Sequence, residues 1–193
     1  MTSRTLVLVP MRVEERALRK GGIPAESIVR IGMGRARSLA AVEQLRAREF
    51  DRLVIAGVCG SLDASFRPGD VLLPSRVSAT DVGTTECAVD ESLVEALRAA
   101  GLTVRSGTLV SHPKLETNKK AVRRHESSGA VAVDMESAWL ATLAGDRPVT
   151  VVRVASDSPD KPVFHPGVLY WGALALRRLA TAARVLGRWD SGS

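Results

Sequence analysis

Residues 149–157 have the sequence VTVVRVASD, in which a run of β-branched and apolar residues ends in a serine and an aspartate. The run from Val149 to Val154 is typical of a strand inside a parallel sheet whose two faces are covered by helices. Ser156 and Asp157 follow this strand directly. They are therefore expected in the loops at the carboxyl end of the sheet, where α/β proteins bind their ligands.

Six further runs of this type alternate with segments of helical periodicity along the chain. The predicted strands are Thr5–Val9, Ser27–Ile31, Arg52–Ala56, Asp70–Ser78, Thr103–Val110, Val131–Asp134 and Val149–Val154. The predicted helices are Val13–Lys20, Arg35–Glu49, Glu91–Ala100, Thr117–Glu126, Met135–Ala144 and Gly167–Arg188. This alternation predicts an α/β fold, a three-layer sandwich with a central, mostly parallel mixed sheet.

The 193 residues are predicted to form one domain, with residues 188–193 as a flexible tail. Apolar residues make up 45% of the chain and charged residues 25%, a balance that excludes a disordered or fibrous protein. Lys and Arg number 27 against 21 Asp and Glu, which makes the formal net charge +6. The basic residues are scattered and aromatic residues are only 4%, so no nucleic-acid partner is expected.

Two cysteines and three histidines show no spacing typical of a metal site or of a disulfide framework. No apolar stretch is long enough to span a bilayer, and the amino end lacks the features of a signal peptide. The sequence therefore predicts a cytoplasmic protein without stable membrane insertion and without a bound metal.

Residues 32–37, Gly-Met-Gly-Arg-Ala-Arg, follow a predicted strand and begin a predicted helix. The glycines resemble the start of a dinucleotide fingerprint, but Arg37 stands where that fingerprint needs a small residue, so a dinucleotide-binding protein is disfavoured. A structural turn would also use both glycines. Gly34 and Arg35 place a flexible backbone and a cation at a helix start, which favours an anion site.

Two carboxylates lie just past a short strand, in the segment Val-Asp-Met-Glu-Ser at 133–137. Asp134 is suited to a structural role, because a negative charge at a helix N-terminus complements the helix dipole. Glu136 has a second interpretation, since a carboxylate can accept two hydrogen bonds from the vicinal hydroxyls of a ribose.

Taken together, these segments resemble the nucleoside phosphorylase and nucleosidase superfamily, which includes purine nucleoside phosphorylases and methylthioadenosine/adenosylhomocysteine nucleosidases. The most specific matches are residues 133–137 and Val-Ala-Ser-Asp at 154–157, supported by Gly57-x-x-Gly60 and Pro68-Gly69-Asp70. Gly-x-Gly-Arg-Ala, Gly-Ser-Leu-Asp and Glu-x-Arg are similar to the bacterial hopanoid-associated phosphorylase subgroup, which acts on an adenosyl-bearing substrate. The resemblance implies a phosphorylase/hydrolase-like fold, a homo-oligomer, a small nucleoside substrate and no cofactor, with inorganic phosphate as the co-substrate of a phosphorolysis.

The resemblance also implies roles for matching residues. Asp157 becomes the general acid near N7 of a purine, since a protonated N7 makes the base a better leaving group. Glu136 would hold the ribose hydroxyls, and Met135 would form the apolar floor under the sugar. Leu115 would contact the base, with a place in the hydrophobic core as the alternative. The remaining substrate-binding residues implied by the resemblance are Ser156, Gly57 and Cys59.

The nucleophile depends on residues near the amino end. Glu14 matches the carboxylate that positions water in the nucleosidases, whereas Gly34, Arg35 and Arg16 are suited to hold phosphate. Solvated surface charge is the alternative for Arg16. We predict cleavage of the N-glycosidic bond of an adenosine-like purine nucleoside, with phosphorolysis preferred, hydrolysis as the runner-up and a non-catalytic nucleoside-binding module as a third interpretation.

Overall fold

The computed structural model describes residues 4–114, 129–159 and 168–191. Its ten strands form one mixed sheet. The strands are β1 (Thr5–Val9), β2 (Ile28–Arg30), β3 (Arg52–Ser61), β4 (Val71–Leu72), β5 (Arg76–Ala79), β6 (Gly83–Glu86), β7 (Val104–Arg105), β8 (Thr108–Ser111), β9 (Ala130–Asp134) and β10 (Val149–Asp157). The α-helices of the described residues are α1 (Arg12–Lys20), α2 (Arg35–Leu45), α3 (Glu91–Ala99), α4 (Ser137–Ala141) and α5 (Val168–Ser191). Short 3-10 helices cover Ala25–Ser27 and Thr142–Ala144.

The sheet has the strand order β6-β5-β8-β9-β3-β10-β4-β7, and β1 pairs with both β3 and β2. The β3–β9, β4–β10 and β5–β6 pairings are antiparallel, while the other pairings are parallel. The first half of β3 lies between β1 and β10. Its last two residues pair with β9 in place of β1, and Gly60 also pairs with Asp157 of β10. The carboxyl ends of β3, β9 and β10 therefore meet at one edge.

Two hydrophobic clusters cover the two faces of the sheet. One cluster contains residues of α2 and α4, and the other contains residues of α1, α3 and α5. Helices on both faces make three layers, so the predicted α/β sandwich with a mostly parallel mixed sheet is confirmed. Within the described part of the chain, no helix combines the length and the apolar character needed to cross a bilayer.

Four predicted strands are wrong in their extent. Arg52–Ala56 continues to Ser61 and Val149–Val154 continues to Asp157, whereas two others are broken in the middle. Pro74, which has no N–H to donate, separates β4 from β5 inside the predicted strand Asp70–Ser78. Gly107, with a φ of 146°, separates β7 from β8 inside Thr103–Val110. The polar strand β6 was not predicted, because Gly-Thr-Thr-Glu shows no apolar alternation.

The predicted helices differ from the structure mainly at their ends. The helix α2 ends at Leu45, four residues before the predicted end, and α4 begins at Ser137, two residues after the predicted start. The helix α5 continues to Ser191, three residues beyond the predicted end at Arg188. The predicted helix Thr117–Glu126 lies outside the described residues.

Candidate active site

The strands β3 and β10 run side by side, and two glycines of β3 lie opposite two charged residues of β10. Arg153 of β10 is the register partner of Gly57, and Asp157 is the partner of Gly60. A Cβ atom on Gly57 would collide with Nη1 of Arg153 and lie 2.7 Å from Oε1 of Glu14. On Gly60 it would lie 3.1 Å from Oδ1 of Asp157. The two glycines thus provide the space that the charged side chains occupy.

A β-bulge adds one residue to β10 just before Asp157. Ala155 pairs with Cys59 and Asp157 pairs with Gly60, so Ser156 is the extra residue. A bulge bends its strand and redirects the side chains that follow it. Ser156 and Asp157 are therefore strand residues, and the prediction that they lie in a loop is wrong.

Arg153 is fully buried at the centre of a cluster of acidic and hydroxyl side chains. Its Nη2 lies 2.7 Å from Oδ2 of Asp134 and 3.6 Å from Oε2 of Glu136. It also donates hydrogen bonds to Oγ of Ser137 and to the carbonyl oxygen of Val58. Burial alone would lower the pKa of Arg153, but the acidic neighbours raise the pKa above its ordinary value, so the guanidinium stays charged.

Asp134 organises the start of α4. Its Oδ1 accepts a hydrogen bond from the hydroxyl of Ser111 and one from the backbone amide of Glu136, and the amide of Ser137 lies 3.2 Å from both of its oxygens. The Ser111 hydroxyl in turn accepts a bond from the amide of Ala138 at 2.9 Å. These bonds satisfy the free amides of a helix N-terminus, the structural role expected for Asp134.

Glu136 lies directly before α4 and is buried. Its Oε1 accepts a hydrogen bond from the backbone amide of Gly34 at 2.9 Å. Gly34 has a φ of 89°, a left-handed conformation that favours glycine, and a Cβ atom there would lie 3.9 Å from Cε of Met135. Burial raises the pKa of Glu136, against the opposite effect of Arg153.

Glu14 is the third residue of α1 and is buried beside this cluster. Its Oε2 accepts a hydrogen bond from the amide of Met11 at 2.7 Å, and its Oε1 accepts one from the amide of Val58 at 2.8 Å. Burial raises the pKa of Glu14 to about 7, although Arg153 and the two amides act in the opposite direction. The carboxyl group can therefore take up and release a proton near neutral pH.

Asp157 is the carboxyl group at the end of β10. Burial raises the pKa of Asp157 to about 6, while the Ser156 hydroxyl and the backbone amide of Ser61 lower it by less. The Ser156 hydroxyl lies 3.4 Å from Oδ2 of Asp157 and 3.2 Å from the carbonyl oxygen of Cys59, to both of which it can donate. Asp157 is thus poised to hold a proton at slightly acidic pH.

The structure does not bring the predicted phosphate-binding residues together around a free anion site. Arg35 donates a hydrogen bond from Nε to Oδ2 of Asp81 at 2.7 Å, and the amide of Gly34 is bound by Glu136. Arg16 is exposed on α1, whose buried face carries Glu14 instead.

Cys59 and Gly57 are predicted to bind substrate. In the structure, Cys59 packs in the hydrophobic core and Gly57 lies against charged side chains of the protein. The Cys59 side chain is buried in the hydrophobic cluster on the α2 and α4 face, where burial raises the pKa of its thiol. Gly57 accommodates Arg153 and Glu14. Leu115, the predicted base contact, lies outside the described residues.

Sequence reasoning missed the residues at the centre of the cluster, Arg153, Ser111 and Ser137. Arg153 carried a readable signal, because an arginine inside a fully apolar strand is almost never buried without partners. The two serines carried none, since their role depends on strand pairing between distant segments. Among the described residues, no group of three His, Cys, Asp or Glu side chains is arranged to hold a metal ion.

Residues 16–184 match the phosphorylase superfamily, so the chain belongs to this family and the resemblance drawn from the sequence is confirmed. No curated protein sequence matches the chain significantly. Solved structures share its fold at low sequence identity. A mutant of the Helicobacter pylori MTAN with 5′-methylthioadenosine in the active site has a TM-score of 0.78 at 18% identity, covering 100% of both chains.

Two further structures show the same likeness. The futalosine hydrolase of Helicobacter pylori has a TM-score of 0.75 at 18% identity, covering 97% of both chains. The 5′-methylthioadenosine/S-adenosylhomocysteine nucleosidase of Colwellia psychrerythraea in complex with adenine has a TM-score of 0.75 at 19% identity, covering 97% of this chain and 96% of the other.

Proposed function

We propose that this protein hydrolyses the N-glycosidic bond of a purine nucleoside with an adenine-type base. One observation carries the proposal, a set of three carboxyl groups: the buried Glu14 at the start of α1 with a pKa of about 7, the partly buried Asp157 at the end of β10 with a pKa of about 6, and the buried Glu136 beside the guanidinium of Arg153. The first suits a general base, the second a general acid and the third a ligand for two ribose hydroxyls. Similar folds bind 5′-methylthioadenosine and adenine, which supports the choice of base.

In the proposed reaction, Glu14 orients a water molecule and accepts its proton as the oxygen attacks C1′ of the sugar. The bond between C1′ and N9 breaks, and its electrons go to the purine. Asp157 protonates N7, so the base leaves neutral. Glu136 binds the ribose hydroxyls, and Met135 packs under the sugar. The products are a free purine and a free sugar.

Water is favoured over phosphate because Gly34 and Arg35 already have carboxylate partners. The preference for phosphorolysis rested on the Gly34 amide and the Arg35 guanidinium as an anion site. Glu136 accepts the hydrogen bond of that amide, and Asp81 neutralises that guanidinium. A phosphate ion would have to displace a carboxylate at each position, whereas a water molecule needs only the spare lone pairs of Glu14.

The test is to incubate the protein with adenosine, inosine and 5′-methylthioadenosine, with and without phosphate, and to identify the sugar product. We expect turnover in phosphate-free buffer, a rate that phosphate leaves unchanged, and a free sugar as the product. A saturable rise with phosphate and a sugar 1-phosphate product would replace the proposal by phosphorolysis. Tight binding without any released base would identify a nucleoside-binding module.

The variant Glu14→Gln tests the general base, and Glu15→Gln is its matched control. Glu15 is the next residue of α1 and pairs with Arg30 at 3.4 Å, outside the Arg153 cluster. We expect hydrolysis to fall by about two to four orders of magnitude in Glu14→Gln, the usual span for a lost general base. Equal rates in the two variants would remove Glu14 from the mechanism.

A further inference from the structure

Asp81 lies at the tip of the β5–β6 hairpin and joins the N-terminal parts of two helices. Its Oδ1 accepts a hydrogen bond from Nε1 of Trp139 at 2.9 Å, and its Oδ2 accepts one from Nε of Arg35 at 2.7 Å. Trp139 is buried in α4, and Arg35 is the first residue of α2. These two bonds lower the pKa of Asp81, the tryptophan bond more strongly, so the carboxylate is charged at neutral pH.

The same two helix starts hold the carboxylate of Glu136. Glu136 directly precedes α4 and accepts the amide of Gly34, which directly precedes Arg35. These contacts form a closed ring. A hydrogen bond links Glu136 to Gly34, the backbone continues to Arg35, Asp81 connects Arg35 to Trp139, and α4 leads from Trp139 back to Glu136. The hydrogen bond between Gly34 and Glu136 therefore depends on how firmly the start of α2 is held against α4.

We infer that Asp81 is a positioning residue that orients Glu136 toward the ribose by holding the Gly34 amide on one oxygen of its carboxylate. The inference rests on the proposed function, in which Glu136 binds the 2′- and 3′-hydroxyls. A small displacement of a group that contacts substrate costs much more in turnover than in folding. The expected signature of Asp81 is thus a loss of discrimination at the sugar in a protein that remains folded.

The test measures kcat/KM for adenosine and for 2′-deoxyadenosine in the wild type and in Asp81→Ala. We expect the preference for the riboside to fall about tenfold. The matched control is Asp51→Ala, which removes another exposed carboxylate that accepts a backbone amide and pairs with an arginine, Arg4. This control should keep the wild-type preference within about twofold.

A double-mutant cycle separates positioning from general loosening of the fold. If Asp81 acts through Glu136, Asp81→Ala has no further effect on the preference in a Glu136→Gln background, but keeps its full effect in an Asp157→Asn background. Equal effects in both backgrounds would overturn the positioning role. So would a saturable stimulation of Asp81→Ala by phosphate that the wild type lacks, because Asp81 would then act by keeping phosphate from Arg35.

The cycle also distinguishes this inference from the proposed function. If Glu136→Gln reduces the preference and Asp81→Ala does not, only the role of Asp81 is wrong. If Glu136→Gln itself leaves the preference unchanged, the assignment of Glu136 to the ribose is wrong and the role of Asp81 falls with it.

Discussion

The two sides of the candidate active site hold their carboxyl groups in opposite ways. On one side, Asp134 and Glu136 surround the buried guanidinium of Arg153, and Glu14 lies close enough to influence it. On the other side, four residues further along β10, the pKa of Asp157 is governed by burial and two hydrogen bonds, and no cation of the described residues influences it.

This difference separates two chemical tasks within one strand pair. A carboxylate beside a guanidinium is held in a fixed orientation, which suits the binding of hydroxyl groups. At Asp157 no described cation offsets the effect of burial on the pKa, which suits an acid that must hold a proton before it gives it away. Because β10 pairs with glycines of β3, both environments have room between Arg153 and Asp157 of a single strand.

The largest expected effect is that of Arg153→Met, which breaks the first side. The substitution leaves Asp134 and Glu136 buried without a counter-charge, so we expect the free energy of unfolding to fall by about 3–5 kcal/mol and turnover to be lost. Urea unfolding and the release of purine measure the two effects. The conservative variant Arg153→Lys keeps the charge but not the forked bonds to Ser137, and should retain intermediate stability. A methionine variant as stable and active as the wild type would show that the cation does not organise the site.

The second prediction concerns Asp157, on the other side of the site. Asp157→Asn removes the proton donor but keeps the shape of the side chain, so nucleoside binding should persist while turnover falls by about two to four orders of magnitude. The measurement is kcat together with the affinity for adenosine. A variant within twofold of the wild type would remove Asp157 from the mechanism.

The same variant should gain stability at alkaline pH. The folded pKa of Asp157, about 6, lies above the unfolded value of about 3.9, so protonation favours the folded state. The wild type has the full benefit below about pH 4 and loses it as the pH rises through about 6. Thermal melts should therefore show equal stability of the two proteins near pH 4 and a higher Tm for Asp157→Asn at pH 8. A lower Tm at pH 8 would contradict the protonated state that we assign to Asp157.

A third prediction compares the two glycines that face these sides. Gly57→Ala places a methyl group against Arg153 and Glu14, whose bonds leave them little freedom to move, so we expect a destabilisation of about 1–3 kcal/mol. Gly60→Ala places its methyl group 3.1 Å from Oδ1 of Asp157 and at an ordinary contact distance of 3.5 Å from Cγ1 of Val133, so it should lower turnover by about tenfold with little loss of stability. Denaturant midpoints and rates of both variants check the pair. An equal loss of stability in the two would show that the sides do not differ in rigidity.

Much of this arrangement could be predicted from local pattern. The apolar run at 149–154 predicted the central strand, and the carboxylates at 136 and 157 stood out because they follow short apolar strands. Glu14 was identified through the resemblance, and its burial fits its place on the same helix face as Ala17 and Leu18.

The rest depended on contacts between distant segments. The interpretation of Arg35 as a phosphate ligand considered a cation at a helix start, but its partner Asp81 lies 46 residues away, on a hairpin whose second strand, β6, shows no apolar alternation. The role of Ser111 likewise depends on the pairing of β8 with β9. The pattern of apolar residues along the chain indicates which faces are buried. It does not show how distant strands pair, and these polar contacts depend on that pairing.

The smallest expected effect is in the pH dependence of kcat/KM, which sharpens the comparison without any mutation. Glu14 must be deprotonated to accept a proton from water, and this state predominates only above about pH 7. Asp157 must be protonated to donate one, and this state predominates only below about pH 6. The two states coincide most often between these values, so the profile is a narrow bell with its maximum there, and activity falls about tenfold per pH unit below about pH 6 and above about pH 7.

Each limb belongs to one side of the site, so the variants should remove the limbs separately. Residual activity in Glu14→Gln should no longer fall on the acidic side, because glutamine does not titrate, while the alkaline limb remains. Asp157→Asn should lose the alkaline limb and keep the acidic one. A wild-type profile that is flat between about pH 5 and pH 8 would contradict the use of these two groups as base and acid. If both variants lost the same limb, the two carboxyl groups would titrate as one coupled pair, and the separation of the two sides would be wrong.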